Sequence, residues 1–148
     1  MNKMNINIKR INEKAIIPTR GSEYAAGYDL YAWVDKVVQI KPHETVKIGT
    51  GLSIEIPDGY FGDIRPRSGK ATKEGLRPAN TPGTVDSDYR GEVIVAIHND
   101  FDTVGTIEPN ERIAQMVILP YLSVTFNEVD ELSDTDRGTH GFGSTGKK

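Results

Sequence analysis

The chain contains no cysteine. That excludes disulfides and thiolate metal sites, and with them a zinc deaminase built on Cys ligands. It also has no HExxH pattern. His43, His98 and His140 show no ligand spacing, so a zinc site built from protein groups is not expected. No apolar run is long enough for a signal peptide or a membrane span. Basic residues are not in excess either: the formal net charge is -3, which gives no footprint for non-specific nucleic-acid binding. These absences lead to the expectation of a cytoplasmic protein with neither membrane nor nucleic acid as a partner. Met1 and Met4 are both candidate starts.

Within 148 residues, 36% hydrophobic and 26% charged, there is enough chain for one domain with an apolar core. Met4, Ile6 and Ile8 alternate with polar residues as in a half-buried strand. Ala26 to Ala32 and Val37 to Ile40 have strand character. Val46, Ile48, Leu52, Ile54 and Ile56 share the even positions, as in one long strand kinked near Gly49 and Gly51. Tyr60 to Ile64 restarts a strand after the Pro57-Asp58-Gly59 turn. Val93 to Ile97 and Ile113 to Leu119 are continuous apolar runs of the kind buried on both faces. Val124 to Phe126 reads as a last strand. Ser68 to Gly75 is the one helical stretch, with Ser68 as a candidate cap and Gly75 as a candidate stop. Many short strands, frequent Gly and Pro turns and a single short helix predict an all-β jelly roll or β-sandwich. A division follows from composition: 1–128 form the domain, and 129–148, acidic and then glycine-rich, form a mobile C-terminal arm.

Four stretches carry residues suited to chemistry. After the Pro82-Gly83 turn, Gly83 to Glu92 reads as a hairpin arm in which Val85 points into the sheet and Asp86 away from it. A carboxylate so held, beside Tyr89, suits a general base above a flat substrate; a solvated Asp-rich turn is the other reading. Pro66-Arg67-Ser68-Gly69-Lys70 enters the helix as an anion site would, or as a capped helix with solvated basic residues. Gln115 is a polar side chain in an apolar run, which calls for a hydrogen-bonding role, structural or otherwise. The tail, Arg137 to Gly146, offers free backbone N–H groups, hydroxyls and a lone aromatic, Phe142, able to stack on a base; a disordered tail has the same composition.

Together these segments resemble the trimeric dUTPase family. The patterns are Ala26-Gly27-Tyr28-Asp29-Leu30, Pro66-Arg67-Ser68-Gly69, Gly83-Thr84-Val85-Asp86-Ser87-Asp88-Tyr89-Arg90-Gly91-Glu92, Arg112-Ile113-Ala114-Gln115, and Arg137-Gly138 with Gly141-Phe142-Gly143-Ser144-Thr145-Gly146. They occur in the family's order. Lys70 departs from the family's pattern, which usually has an apolar residue there.

The resemblance implies a homotrimeric jelly roll, with active sites between subunits, that hydrolyses dUTP to dUMP and pyrophosphate. Such an activity limits uracil in DNA and supplies dUMP for dTMP synthesis. It implies Asp86 as the base that orients water toward the α-phosphate, and Tyr89 as the wall that excludes a ribose 2′-hydroxyl. Asn80 and the main chain of Gly83, Val85 and Ile94, with Thr84 beside them, correspond to the uracil-reading hairpin. Arg67, Ser68, Gly69 and Gln115 lie along the triphosphate. Arg137, Gly143, Ser144 and Thr145 close over its far end, and Phe142 stacks on uracil. Mg2+ is the implied cofactor, held by phosphates and water with no direct protein ligand; Asp29 acts in its outer surroundings or braces the site. Two alternatives stand beside it. One is a dCTP deaminase of the same fold, which would need a Glu acid/base near the pyrimidine C4 and is disfavoured by the Asp86/Tyr89 hairpin and the Phe142 tail. The other is a dUTP-sensing regulatory module, against which the intact base and phosphate residues argue.

Overall fold

The structure is a computed structural model and describes residues 3–147. Met1, one of the candidate starts, lies outside them. Eleven strands and one helix follow one another as β1 (Asn7–Arg10), β2 (Tyr28–Tyr31), β3 (Val38–Ile40), β4 (Thr45–Gly49), β5 (Leu52–Glu55), β6 (Tyr60–Arg65), α1 (Ser68–Glu74), β7 (Leu76–Pro78), β8 (Gly83–Val85), β9 (Ile94–Asn99), β10 (Gly105–Ile107) and β11 (Arg112–Pro120). All named strand pairs are antiparallel. They form a four-stranded sheet in the order β2-β11-β6-β8, a three-stranded sheet β4-β9-β7, and the pairs β1-β5 and β10-β3. Leu30, Ile48, Ile54, Leu76, Ile97, Ile107 and Ile113 come from different strands into one buried cluster. The all-β expectation therefore holds. No helix among the described residues is long and apolar enough to cross a membrane.

Several local expectations change. The single kinked strand from Val46 to Ile56 is two strands with different partners, β4 on β9 and β5 on β1. The break is at Gly51, whose φ of +68° and close approach to Ala15 and Trp33 leave no room for a side chain. Buried Thr50 closes the gap by donating its hydroxyl to the carbonyl of Val93 at 2.6 Å. The run Val93–Ile97 is not buried on both faces: Val93, Val95 and Ile97 are buried while Ile94 is exposed. The run from Ile113 begins with Ile113 and Ala114 both buried, as suits a strand flanked by β2 and β6, but becomes half-buried from Val117 to Leu119.

Ser68 does not cap α1. Arg67 occupies the N-cap in extended conformation, without a side-chain capping bond. Gly75 does end the helix, in the left-handed region at φ 68°, with its N–H on the Ala71 carbonyl. The final strand at Val124–Phe126 does not form. Among the described residues, the chain beyond Pro120 has no strand partner, and Leu122, Val124 and Phe126 are exposed.

Candidate active site

Residues 79–93 do not make a two-stranded hairpin. β7 pairs with β9 and β8 pairs with β6, so the segment passes from one sheet to the other and returns as an arch. Its faces alternate as the period of a strand requires: Gly83 and Val85 are buried, Thr84 and Asp86 exposed. The tip is held by main-chain acceptors. Tyr89 donates its hydroxyl to the Glu92 carbonyl at 2.8 Å, and its ring lies so close to Gly91 that an added Cβ would meet Oη at 2.5 Å. Arg90 donates to the Ser87 carbonyl at 2.6 Å and reaches Glu55 at 3.4 Å, while Ser53 donates to the Arg90 carbonyl at 2.6 Å. The arch is thus fastened to β5, and Asp86 and Tyr89 sit on a braced support.

Thr84, Val85, Asp86, Tyr89 and Ile94 line one concavity of about 220 Å³, together with Glu92 and Val93. Asn80 lies beside it: a Cβ on Gly83 would come 3.4 Å from its side-chain amide nitrogen. Asp86 also borders a wider groove of about 650 Å³ with Phe61 and Tyr121 on its wall.

The other residues gather where β2 meets β11 and where β6 runs into α1. Asp29 is buried, and its two carboxylate oxygens accept from Arg67 Nε at 3.0 Å and from Arg112 at 3.4 Å. Its carboxylate is committed to two guanidinium groups, so it braces Arg67. Gln115 opposes Asp29 on β2 and Arg65 on β6; its amide donates to the Pro66 carbonyl at 2.9 Å. Ser68 and Gly69 are exposed, and the space above Gly69 is open. The arrangement presents a guanidinium, an amide, a hydroxyl and an uncovered backbone turn, which are donors suited to phosphate oxygens.

The two groups are not adjacent within one chain. Gly62 opposes Val85, which carries Asp86 toward Phe61, whereas Gln115 opposes Arg65 at the other end of β6. The four steps from Phe61 to Arg65 span roughly 13 Å at the rise of an antiparallel strand, and Arg67 lies beyond. The tail stands apart from both. Arg137 donates to the His140 carbonyl at 2.8 Å, Ser144 N–H to Gly141 and Gly146 N–H to Gly143. Phe142 has φ +51° and a fully exposed ring. Thr145 is exposed as well. Among the described residues, no three His, Asp or Glu side chains converge as a metal cage would require.

Sequence reasoning missed Arg112 as the second partner of Asp29, and the Ser53–Arg90–Glu55 fastening. Arg112 was visible as part of a motif, but nothing local to it marks a partner 83 positions away. Ser53 and Glu55 carried no signal beyond strand alternation.

The dUTPase family model matches residues 13–146. The chain is 51% identical to the deoxyuridine 5'-triphosphate nucleotidohydrolase of Nautilia profundicola over 97% of its length and all of that protein's. It is 50% identical to the Hydrogenobaculum protein of the same name, over 98% and 100%. Its fold superposes on the dUTPase of Staphylococcus bacteriophage 80alpha, solved as the G164S mutant with dUpNHpp, with a TM-score of 0.85 at 28% identity over 97% of this chain and 99% of that one. A family-model match across nearly the whole chain and relatives at half identity over their full length have one meaning: the chain belongs to the dUTPase family.

Proposed function

We propose that the protein hydrolyses dUTP to dUMP and pyrophosphate. The observation that carries this reading is the concavity of the arch, where the Asp86 carboxylate, the Tyr89 ring and the exposed residues Thr84 and Ile94 face one space. Backbone groups of Gly83, Val85 and Ile94, with Asn80, present uracil with a fixed donor–acceptor pattern. Cytosine would leave buried polar groups unpaired there. Tyr89, fixed by its hydrogen bond to Glu92, fills the space beneath the sugar and rejects a 2′-hydroxyl by contact.

Asp86 accepts a proton from water as the water oxygen bonds to the α-phosphorus. The bond from that phosphorus to the α–β bridging oxygen breaks, and pyrophosphate leaves with the electron pair. Arg67, Ser68, Gly69 and Gln115 bind the triphosphate and orient it for in-line attack. Mg2+ is the cofactor of this reading. The donors at the phosphate segment are cationic, amide and hydroxyl groups, and no carboxylate cage forms among the described residues, which fits an ion that keeps its waters and is held by substrate phosphates. When bound, it offsets phosphate charge.

Catalysis takes place in a homotrimer. The separation of Asp86 from Arg67 along β6 favours sites completed by another copy, and so does a tail whose hydrogen bonds, among the described residues, lie within itself. In this reading 1–128 form the jelly-roll domain. The arm at 129–148 closes over a site on the assembly, bringing Phe142 onto uracil and Arg137, Gly143, Ser144 and Thr145 onto the phosphates. The test is pyrophosphate release with dUTP, dCTP, dTTP and UTP. Release from dUTP alone is expected. Ammonia release from dCTP, or binding of dUTP without turnover, would replace this reading by a deaminase or a sensing module.

A further inference from the structure

The helix that follows the phosphate segment is anchored in an unusual way. Lys70 is its only buried residue, at 4% exposure, with Ala71 half-buried beside it, so the deepest anchor of this seven-residue helix ends in an ammonium group. Isolated helices of this length have no stability of their own. A buried ammonium costs desolvation unless it is paired. Here it is paired twice, with Glu74 one turn on at 3.1 Å and with Glu111.

Glu111 is itself fixed. Its other carboxylate oxygen accepts the Glu108 N–H at 2.8 Å, and its carbonyl accepts the Ala32 N–H at 2.8 Å. The next residue, Arg112, shares Asp29 with Arg67. Residue 70 is therefore tied directly to Glu111, and residue 67 is joined to Arg112 through the Asp29 carboxylate that both guanidinium groups share. Between residues 67 and 70 lie Ser68 and Gly69, both exposed.

We propose that Lys70 is a positioning residue: its pair with Glu111 fixes Ser68 and Gly69 relative to Gln115, which follows four residues after Glu111, so that all three meet the triphosphate together. The proposal rests on the reading of Arg67–Gly69 as the phosphate segment. Lys70 touches no substrate in it and acts through its neighbours.

The experiment compares wild type with Lys70→Met, Glu111→Gln, the double variant, Lys70→Arg and Glu74→Gln. It measures KM and kcat for dUTP, the inhibition constant of dUMP, and Tm. dUMP carries the base, the sugar and one phosphate, so it reports the arch but little of the triphosphate contacts. Lys70→Met and Glu111→Gln are expected to raise KM for dUTP about tenfold, the scale of a displaced positioning contact, and to leave dUMP inhibition within about twofold. The double variant should be no worse than the worse single one, because both remove the same link. Lys70→Arg should recover most of the loss, and Glu74→Gln, whose carboxylate is half exposed, should have the smallest effect. A fall in Tm with an unchanged ratio of dUTP KM to dUMP inhibition constant would overturn the proposal, leaving Lys70 a purely structural group. Should Lys70→Met fail to fold, Glu111→Gln decides alone, since it keeps the ammonium paired with Glu74. Wild type without dUTP turnover would instead overturn the functional reading on which the proposal rests.

Discussion

Gly27→Ala tests how the first sequence pattern serves the fourth. Gly27 does not have a positive φ, so alanine is allowed by the backbone. The obstacle is Gln115. A Cβ on Gly27 would lie 2.1 Å from its Oε1, 2.9 Å from Cδ and 3.2 Å from Cβ. Ordinary contact begins near 3.5 Å, so the amide must swing away by more than about 1 Å. That breaks the 2.9 Å bond from Nε2 to the Pro66 carbonyl. The stability lost with one neutral hydrogen bond is about 0.5–1.5 kcal/mol, and the reduced freedom of the unfolded chain returns about 0.4–1 kcal/mol. Tm should therefore move by no more than about 4 °C. The catalytic effect should be larger. An amide donating to a charged phosphate oxygen is worth about 1.5–3 kcal/mol, which converts to roughly 10–150-fold in kcat/KM. The assay is steady-state pyrophosphate release by Gly27→Ala, Gln115→Ala and the double variant, with Tm measured in parallel. If alanine acts by displacing Gln115, the double variant should match Gln115→Ala. Fully additive losses, or wild-type kcat/KM in a folded Gly27→Ala protein, would falsify the account.

The remaining predictions concern the arch, the tail and the assembly. Asp86→Asn keeps size and polarity but removes the base; kcat should fall about 10²–10⁴-fold with dUTP still bound, and near-normal turnover would exclude Asp86 from that role. Tyr89→Ala should raise kcat/KM for UTP relative to dUTP, and an unchanged ratio would leave Tyr89 only a brace for Gly91 and Glu92. Phe142→Ala should cost about 1–3 kcal/mol, roughly 5–150-fold in kcat/KM, and an equal loss with a substrate that lacks a base would rule out stacking. Co-refolding Asp86→Asn with a chain truncated before Arg137 at equal ratio should restore about a quarter of wild-type activity if base and tail at each site come from different chains. No recovery in mixed trimers verified by mass would refute that arrangement.

What the sequence determined by itself were the features written in nearby residues. Period-two alternation and frequent Gly and Pro give an all-β chain, because both act on the backbone locally. Gly75 ends α1 for the same reason. The patterns around Asp29, Arg67, Asp86, Gln115 and Phe142 pointed to the family through residue type and order, with no need of coordinates. Tertiary structure decided whatever depends on partners far along the chain. Gly51 looked like a kink, but Ala15, Trp33 and the Val93 carbonyl make it a break between strands of different sheets. The supposed hairpin at Gly83 became an arch because β8 found β6 while β7 found β9. Val124–Phe126 has strand composition and no strand, since backbone hydrogen bonds need a neighbour and this chain alone offers none there. Lys70, the one departure from the pattern, is legible only in three dimensions. A lysine can be buried when carboxylates meet it, and one of the two that do so, Glu111, lies 41 positions away.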